Sequence, residues 1–413
     1  MASDTDPADP PLPVPDVPVP DVPVPDVPSA FEGADVPAGA DGLPPLSALS
    51  PRERLVVEAS ALGDLALRTW VASLLAITVA PVVVAAAARR AESRDERANL
   101  RFYADLAAER DPAKSFPAPT EVPRVRSRPA HPVAEWIAGG TVDDIAFPSS
   151  FIAVNPALRS RWNTLGANNI VRAQHWRHHD GPRPTLCVIH GFMGSSYLAN
   201  GRFFSLPWYY RSGYDVLMYT LPFHGKRRGR LSPFSGFGYF SRGLGGFAEA
   251  MAQAVHDFRS ILDHLRHTGV DRIALTGISL GGYTSALVAS VDDRLDAVIP
   301  NCPVVTPATM FETWFPANKL VGLGLRLSDI GGDELAAGLA YHCPLNYRPL
   351  VPKDRRMLIT GLGDRMAPPD QAVMLWEHWD RCALHWFPGS HVLHVSQLDY
   401  LRRMTRFLRP LMF

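Results

Sequence analysis

From about residue 140 onward the chain repeats one device: a short apolar run, a break at glycine or proline, then apolar residues at helical spacing. The run TLCVIHG (185–191) is continuous rather than alternating, as expected of a strand buried on both faces. DVLMYTLP (215–222), RIALTG (272–277), DAVIPNC (296–302), RMLITG (356–361) and ALHWFP (383–388) follow the same rule. FIAV (151–154) and NIVRAQHW (169–176) are predicted as two short strands ahead of them. Residues 247–269 carry apolar positions at 251, 255, 258, 261, 262 and 265, a helical period that stops at Gly269. Residues 281–290, 368–380 and 395–409 read as further helices, and LPWYYRSGY (206–214) as core on the helix before its strand. Strands alternating with helices mean βαβ units, hence an α/β fold with a mostly parallel, twisted sheet flanked by helices.

One break carries chemistry. Gly277-Ile278-Ser279-Leu280-Gly281 follows the run RIALT and opens a helix, the setting in which G-x-S-x-G forms a nucleophile elbow. The turn leaves little room beside the serine, which accounts for Gly277 and Gly281. It lifts Ser279 Oγ toward a helix N-terminus, where backbone N–H groups favour developing negative charge. A serine is a weak nucleophile without an adjacent base. FPGSHVLHVS (387–396) supplies His391 just after the last predicted strand, with His394 as the competitor at the start of the terminal helix. The base in turn needs a carboxylate to hold its tautomer. MLITGLGDRMAPPDQ (357–371) offers Asp364 shortly after a strand end, and Asp370, within the next helix, is the weaker choice. The order is therefore Ser279, Asp364, His391. In VIHGFMGSS (188–196) the N–H of Phe192 is the natural first oxyanion donor and that of Leu280 the second. Each such donor is worth about 3–4 kcal/mol in the transition state. His190 and His224 read as loop-orienting groups, and the Lys/Arg run after His224 as a solvated edge.

With those residues in hand, positions from about 145 to 410 resemble an α/β-hydrolase: HG after one strand, P-x-H-G after the next, the elbow, G-x-x-D, then G-x-H. TGISLGGYTSALVAS is also similar to abhydrolase-domain proteins. The resemblance implies Ser279, Asp364 and His391 as a catalytic triad and Phe192 and Leu280 as oxyanion donors. It implies no cofactor and no metal. The chain lacks an HGGG run, so the esterase type that carries one is not implied. Insertions between the strands at 296–302 and 356–361 form a small lid in this family, here about 306–352. MFETWFPANKLVGLGL (310–325) in it either lines an acyl pocket or packs as an ordinary helix. The implied activity is hydrolysis of a small-molecule ester or thioester through an acyl-enzyme, and the apolar composition of the insertion points to an acyl or lipid-like ester as the substrate. A peptidase or acyltransferase would use the same triad. A membrane-tethered, non-catalytic binding protein on a hydrolase scaffold is the rival from another class.

The N-terminal third follows other rules. Residues 1–50 read as a disordered Pro/Val/Asp-rich tail, because PLPVPDVPVPDVPVPDVP (11–28) fits neither helix nor central strand. Residues 51–135 read as a helical segment and linker. Within it TWVASLLAITVAPVVVAAAA (69–88) has no charge and about the length that crosses a ~30 Å hydrocarbon core. It is a candidate transmembrane helix, with an Ala-rich helix packed on the 140–413 hydrolase domain as the alternative. Arg89, Arg90, Arg94, Arg97 and Arg101 follow it, which would leave the C-terminal domain in the cytoplasm, anchored to the inner face of the cytoplasmic membrane. A formal net charge of +0 argues against a nucleic-acid partner. Basic residues are nearly all arginine, a bias of GC-rich bacterial genomes. Cys187, Cys302, Cys343 and Cys382 show neither C-x-x-C nor metal spacing and read as reduced thiols.

Overall fold

The apolar runs become the centre of one nine-stranded sheet, ordered β1-β2-β3-β5-β4-β6-β7-β8-β9. The computed structural model describes residues 43–413 apart from 45, 89, 195, 395 and 396, so the Pro-rich repeat at 11–28 lies outside the described residues. The strands are β1 (Arg126–Pro129), β2 (Thr141–Pro148), β3 (Ile170–Arg177), β4 (Thr185–Ile189), β5 (Asp215–Tyr219), β6 (Ile273–Ile278), β7 (Ala297–Asn301), β8 (Met357–Gly361) and β9 (Ala383–Phe387). From β5 to β9 across the sheet every pairing is parallel. β1, β2 and β3 add antiparallel edges. All residues of β4, β5, β6, β7 and β8 are buried, which is why their sequences are continuous rather than alternating.

One expected strand is absent, and β1 and β2 form where none was expected. Residues 151–154 form no strand; Ile152 is exposed, and the segment leads directly into a turn capped by Asn155. The strand on that side is instead Thr141–Pro148, whose alternation is masked by Asp143 and Asp144 in its middle. Both acids are used: Asp143 pairs with Arg177 and Asp144 with Gln174 on the neighbouring strand.

Helices cover both faces. On one side α3 (Gly243–His267) buries Met251, Val255, Phe258, Ile261, Leu262 and Leu265, the helical positions read from sequence. On the other, α7 (Gln397–Met412) buries Tyr400, Leu401, Met404, Leu408 and Met412 against Val188, Met218 and Ile299. Each such side chain contributes about 1.5–3 kcal/mol by leaving water. α4 (Leu280–Val288) follows the elbow directly and is buried throughout.

The segment ahead of the sheet begins with a long helix, α1 (Pro51–Ala88), followed by α2 (Arg90–Glu109). α1 opens with a capping box: Ser50 Oγ accepts the Glu53 N–H, and the Glu53 carboxylate accepts the Ser50 N–H. By length and composition α1 could cross a membrane. Val57, Ala61, Asp64, Val71 and Leu75 form a buried stripe at helical spacing, while Leu62, Trp70, Ile77 and Val84 on other faces are more than half exposed. Val71 and Leu75 of that stripe pack against Trp314 and α5 (Ala317–Leu327), within the insertion between β7 and β8, and Val57 packs with Leu362 and Trp386.

Candidate active site

Four parallel strands deliver their C-terminal ends to one place, the usual crevice of an α/β sheet. Ser279 follows β6, Cys302 follows β7, Asp364 lies beyond β8 and His391 beyond β9. Ser279 takes φ 57° and ψ −117°, a strained conformation for a residue with a side chain. Its N–H donates to Asn301 O at 3.0 Å and its carbonyl accepts the Tyr283 N–H at 2.8 Å, which pins the turn from both sides. A Cβ on Gly281 would stand 2.1 Å from Ile189 O, and one on Gly277 would stand 2.5 Å from Gly281 C and O. The flanking glycines are thus required by close backbone approach.

Asp364 is fully buried. Its Oδ1 accepts the N–H groups of Met366 at 2.8 Å and Ala367 at 2.7 Å. Its Oδ2 accepts Nδ1–H of His391 at 2.7 Å. This bond assigns the tautomer and leaves Nε2 as the basic nitrogen. Burial alone would lower the His391 pKa. The charge and hydrogen bond of Asp364, with Asp64 adding to them, outweigh it and raise the pKa above its ordinary value of 6.5. Among the described residues no hydrogen bond joins Ser279 to His391. His394 does not compete: it lies ahead of α7, its Nε2 donates to His391 O at 3.1 Å, and burial drops its pKa to about 4. Asp370 is exposed in the first turn of α6 (Pro369–His378).

The loop after β4 passes against the serine, so that a Cβ on Gly191 would stand 3.4 Å from Ser279 Cβ. His190 holds this loop. Its Nδ1–H donates to Gly191 O at 2.8 Å and its Nε2 accepts the Leu221 N–H at 3.2 Å. Burial pushes its pKa down to about 4, so the ring stays neutral, as two-sided bonding requires. His224 donates from Nδ1 to Pro222 O at 2.8 Å and lies 5.0 Å, ring to ring, from His190. Phe192 follows Gly191, and Leu280 is the first residue of α4, where helix N–H groups lack intrahelical acceptors.

Two residues here had no sequence signal of their own. Cys302 Sγ lies within 4.8 Å of ligand-type atoms of Asp364 and His391, a set that could in principle take a metal ion. Asp364 and His391 are already hydrogen-bonded to each other, and burial followed by the Asp364 charge keeps the Cys302 thiol protonated. Asp64 on α1 accepts the backbone N–H of His391 at 2.8 Å. Its only trace in the sequence is an acid on the same helical stripe as Val57, Ala61 and Val71.

Ser279 opens into an apolar pocket of about 60 Å³, walled by Val71, Leu75, Phe192, Tyr283, Trp314 and Met366. In 310–325, Trp314, Ala317 and Val321 line this pocket, and Trp314 and Ala317 also pack against Val71, Ala72, Leu75 and Ala76 of α1. Val79, Phe240, Phe247 and Val321 also border a second, larger cavity of about 790 Å³ between α1, α2, the start of α3 and α5.

The α/β hydrolase fold family model matches residues 184–389. Uncharacterized proteins from two strains of Mycobacterium tuberculosis are each 34% identical over 239 residues, 56% of this chain and 55% of the relative. The chain therefore spans about half the length of the curated relatives it matches. Among solved structures, acetyl xylan esterase 1 from a Thermoanaerobacterium species superposes with a TM-score of 0.53 at 15% identity, covering 76% of this chain and 94% of the esterase. An acetyl xylan esterase from a Paenibacillus species gives 0.52 at 16% identity, covering 75% and 93%. At such identities the likeness concerns the fold.

Proposed function

The chain is an α/β-hydrolase-fold protein, and from that premise we propose that it is a serine hydrolase of carboxylic esters or thioesters. The observation that carries this reading is the buried 2.7 Å bond from His391 Nδ1 to Asp364 Oδ2, set beside a strained Ser279 elbow. In the reaction, His391 Nε2 takes the Ser279 proton as Oγ attacks the acyl carbon. The tetrahedral oxyanion is held by the N–H groups of Phe192 and Leu280. His391 then passes the proton to the leaving oxygen or sulfur, and the acyl group stays on Ser279. Water, deprotonated by His391, attacks that acyl-enzyme and regenerates the serine.

The apolar wall supports an apolar acyl group. At about 60 Å³ the pocket is less than half the ~150 Å³ that accommodates a benzene ring, which favours a short acyl chain over the lipid-like ester suggested by composition. A longer chain would have to reach the larger cavity past the residues that border both, Phe240 among them. Residues 69–88, with Trp70, Ile77 and Val84 exposed, support association of the protein with a membrane surface. Flotation with lipid vesicles tests that association. The activity is tested by a fluorophosphonate probe, which is expected to label the folded protein. Labelling that survives Ser279→Ala, or none at all in the wild type, would sink the hydrolase reading.

A further inference from the structure

A carboxylate from outside the sheet ties together the loops that bear the acid and the base. Asp64 Oδ2 accepts the N–H of His391 at 2.8 Å and also that of Arg365 at 3.1 Å, next to Asp364. Asp64 is only 3% exposed and stands 327 residues before His391 in the chain. Its neighbours one turn either way press on the same loop. Arg68 donates to Arg365 O at 3.2 Å, and a Cβ on Gly363 would meet Ser60 Oγ at 2.8 Å. Three successive turns of α1 therefore clamp residues 363–365.

We propose that Asp64 is a positioning residue for the catalytic base, fixing both loops to α1 and adding a second negative charge beside the imidazolium that forms at His391. The proposal rests on the serine-hydrolase reading above. A neutral side chain could satisfy two backbone N–H groups, whereas burying a carboxylate is costly unless a positive charge profits from it. The surroundings leave few other charges. Asp364 faces the ring directly, while the Cys302 thiol and His394 are held neutral by burial. Arg68 is engaged with Arg365 O. Two carboxylates thus bracket one imidazole, one through its ring and one through its backbone.

The test is the pH profile of kcat/KM for p-nitrophenyl acetate with the full chain. Asp64→Asn keeps an oxygen for the two amides and removes the charge, and its acid limb is expected to move down by about half a pH unit or more. Asp64→Glu keeps the charge and should stay at the wild-type position. Asp64→Ala should lower kcat about tenfold or more with KM nearly unchanged. A readout independent of turnover is the low-field proton of the His391–Asp364 hydrogen bond, assigned by its loss in His391→Gln. Its titration should follow the same order. If the Asn and Glu variants titrate alike, or both match the wild type, the proposal is overturned. A wild type that fails to label at Ser279 sinks the hydrolase reading alone, and the proton titration still decides Asp64.

Discussion

Gly281→Ala puts the elbow geometry to its hardest test. The added Cβ would lie 2.1 Å from Ile189 O and 2.7 Å from His190 O. Both are backbone atoms, of β4 and of the residue just after it, so no side chain can swing aside. Ordinary contact needs about 3.4 Å, so β4 and α4 must separate by roughly 1 Å at this point. Overpacking of a rigid site by one carbon costs about 3 kcal/mol. For a unit of roughly 270 residues, unfolding entropy of about 0.6 kcal/mol per degree converts this to a fall of about 5 °C in Tm. The same displacement moves the loop carrying Phe192 relative to Ser279, and a 1 Å misplacement at a reacting centre costs about 10²-fold in rate. Calorimetry and fluorophosphonate labelling measure the two effects. Gly63→Ala is the control: nothing lies within 4 Å of its added Cβ, it is exposed within α1, and it should gain about 0.5–1 kcal/mol. If Gly281→Ala keeps the wild-type Tm and labelling rate, the close-approach argument for the elbow is wrong.

Ester hydrolysis should rise with pH through a pKa above 6.5, since His391 must be neutral to act as base; a profile flat from pH 5 to 9 would contradict this. Asp364→Asn should lower kcat about 10³–10⁴-fold and move that limb to lower pH, as read from rate profiles. Because His391 binds its proton more tightly folded than unfolded, its contribution to stability is full below pH 6.5 and fades as pH rises through the folded pKa. Urea titrations of wild type and Asp364→Asn at pH 5.5 and 9 should show this difference. In a p-nitrophenyl ester series, acetate to butyrate should exceed octanoate, and Phe240→Ala should raise octanoate selectively by opening the partition to the larger cavity. Equal octanoate rates in the two proteins would refute that route.

Much of the fold was legible because buried parallel strands cannot alternate. Six apolar runs announced β4 to β9, and the helical period of 251–265 announced α3. β2 escaped because its acids pair laterally with Arg177 and Gln174, which no local pattern records. The elbow residues and the order Ser279, Asp364, His391 were visible for a local reason. A tight turn after a strand needs particular residue types at fixed offsets, whatever lies across the molecule.

Tertiary structure alone decided what surrounds them. That Asp364, rather than Asp370, meets His391 follows from burial and a 2.7 Å bond, not from spacing. That an apolar helix at 51–88 walls the pocket and brings Asp64 to His391 depends on packing across 327 residues. Sequence encodes local conformation through sterics and hydrophobic period. Long-range electrostatic partners arise only when separate elements exclude water together, and the sequence carries no periodicity for that event.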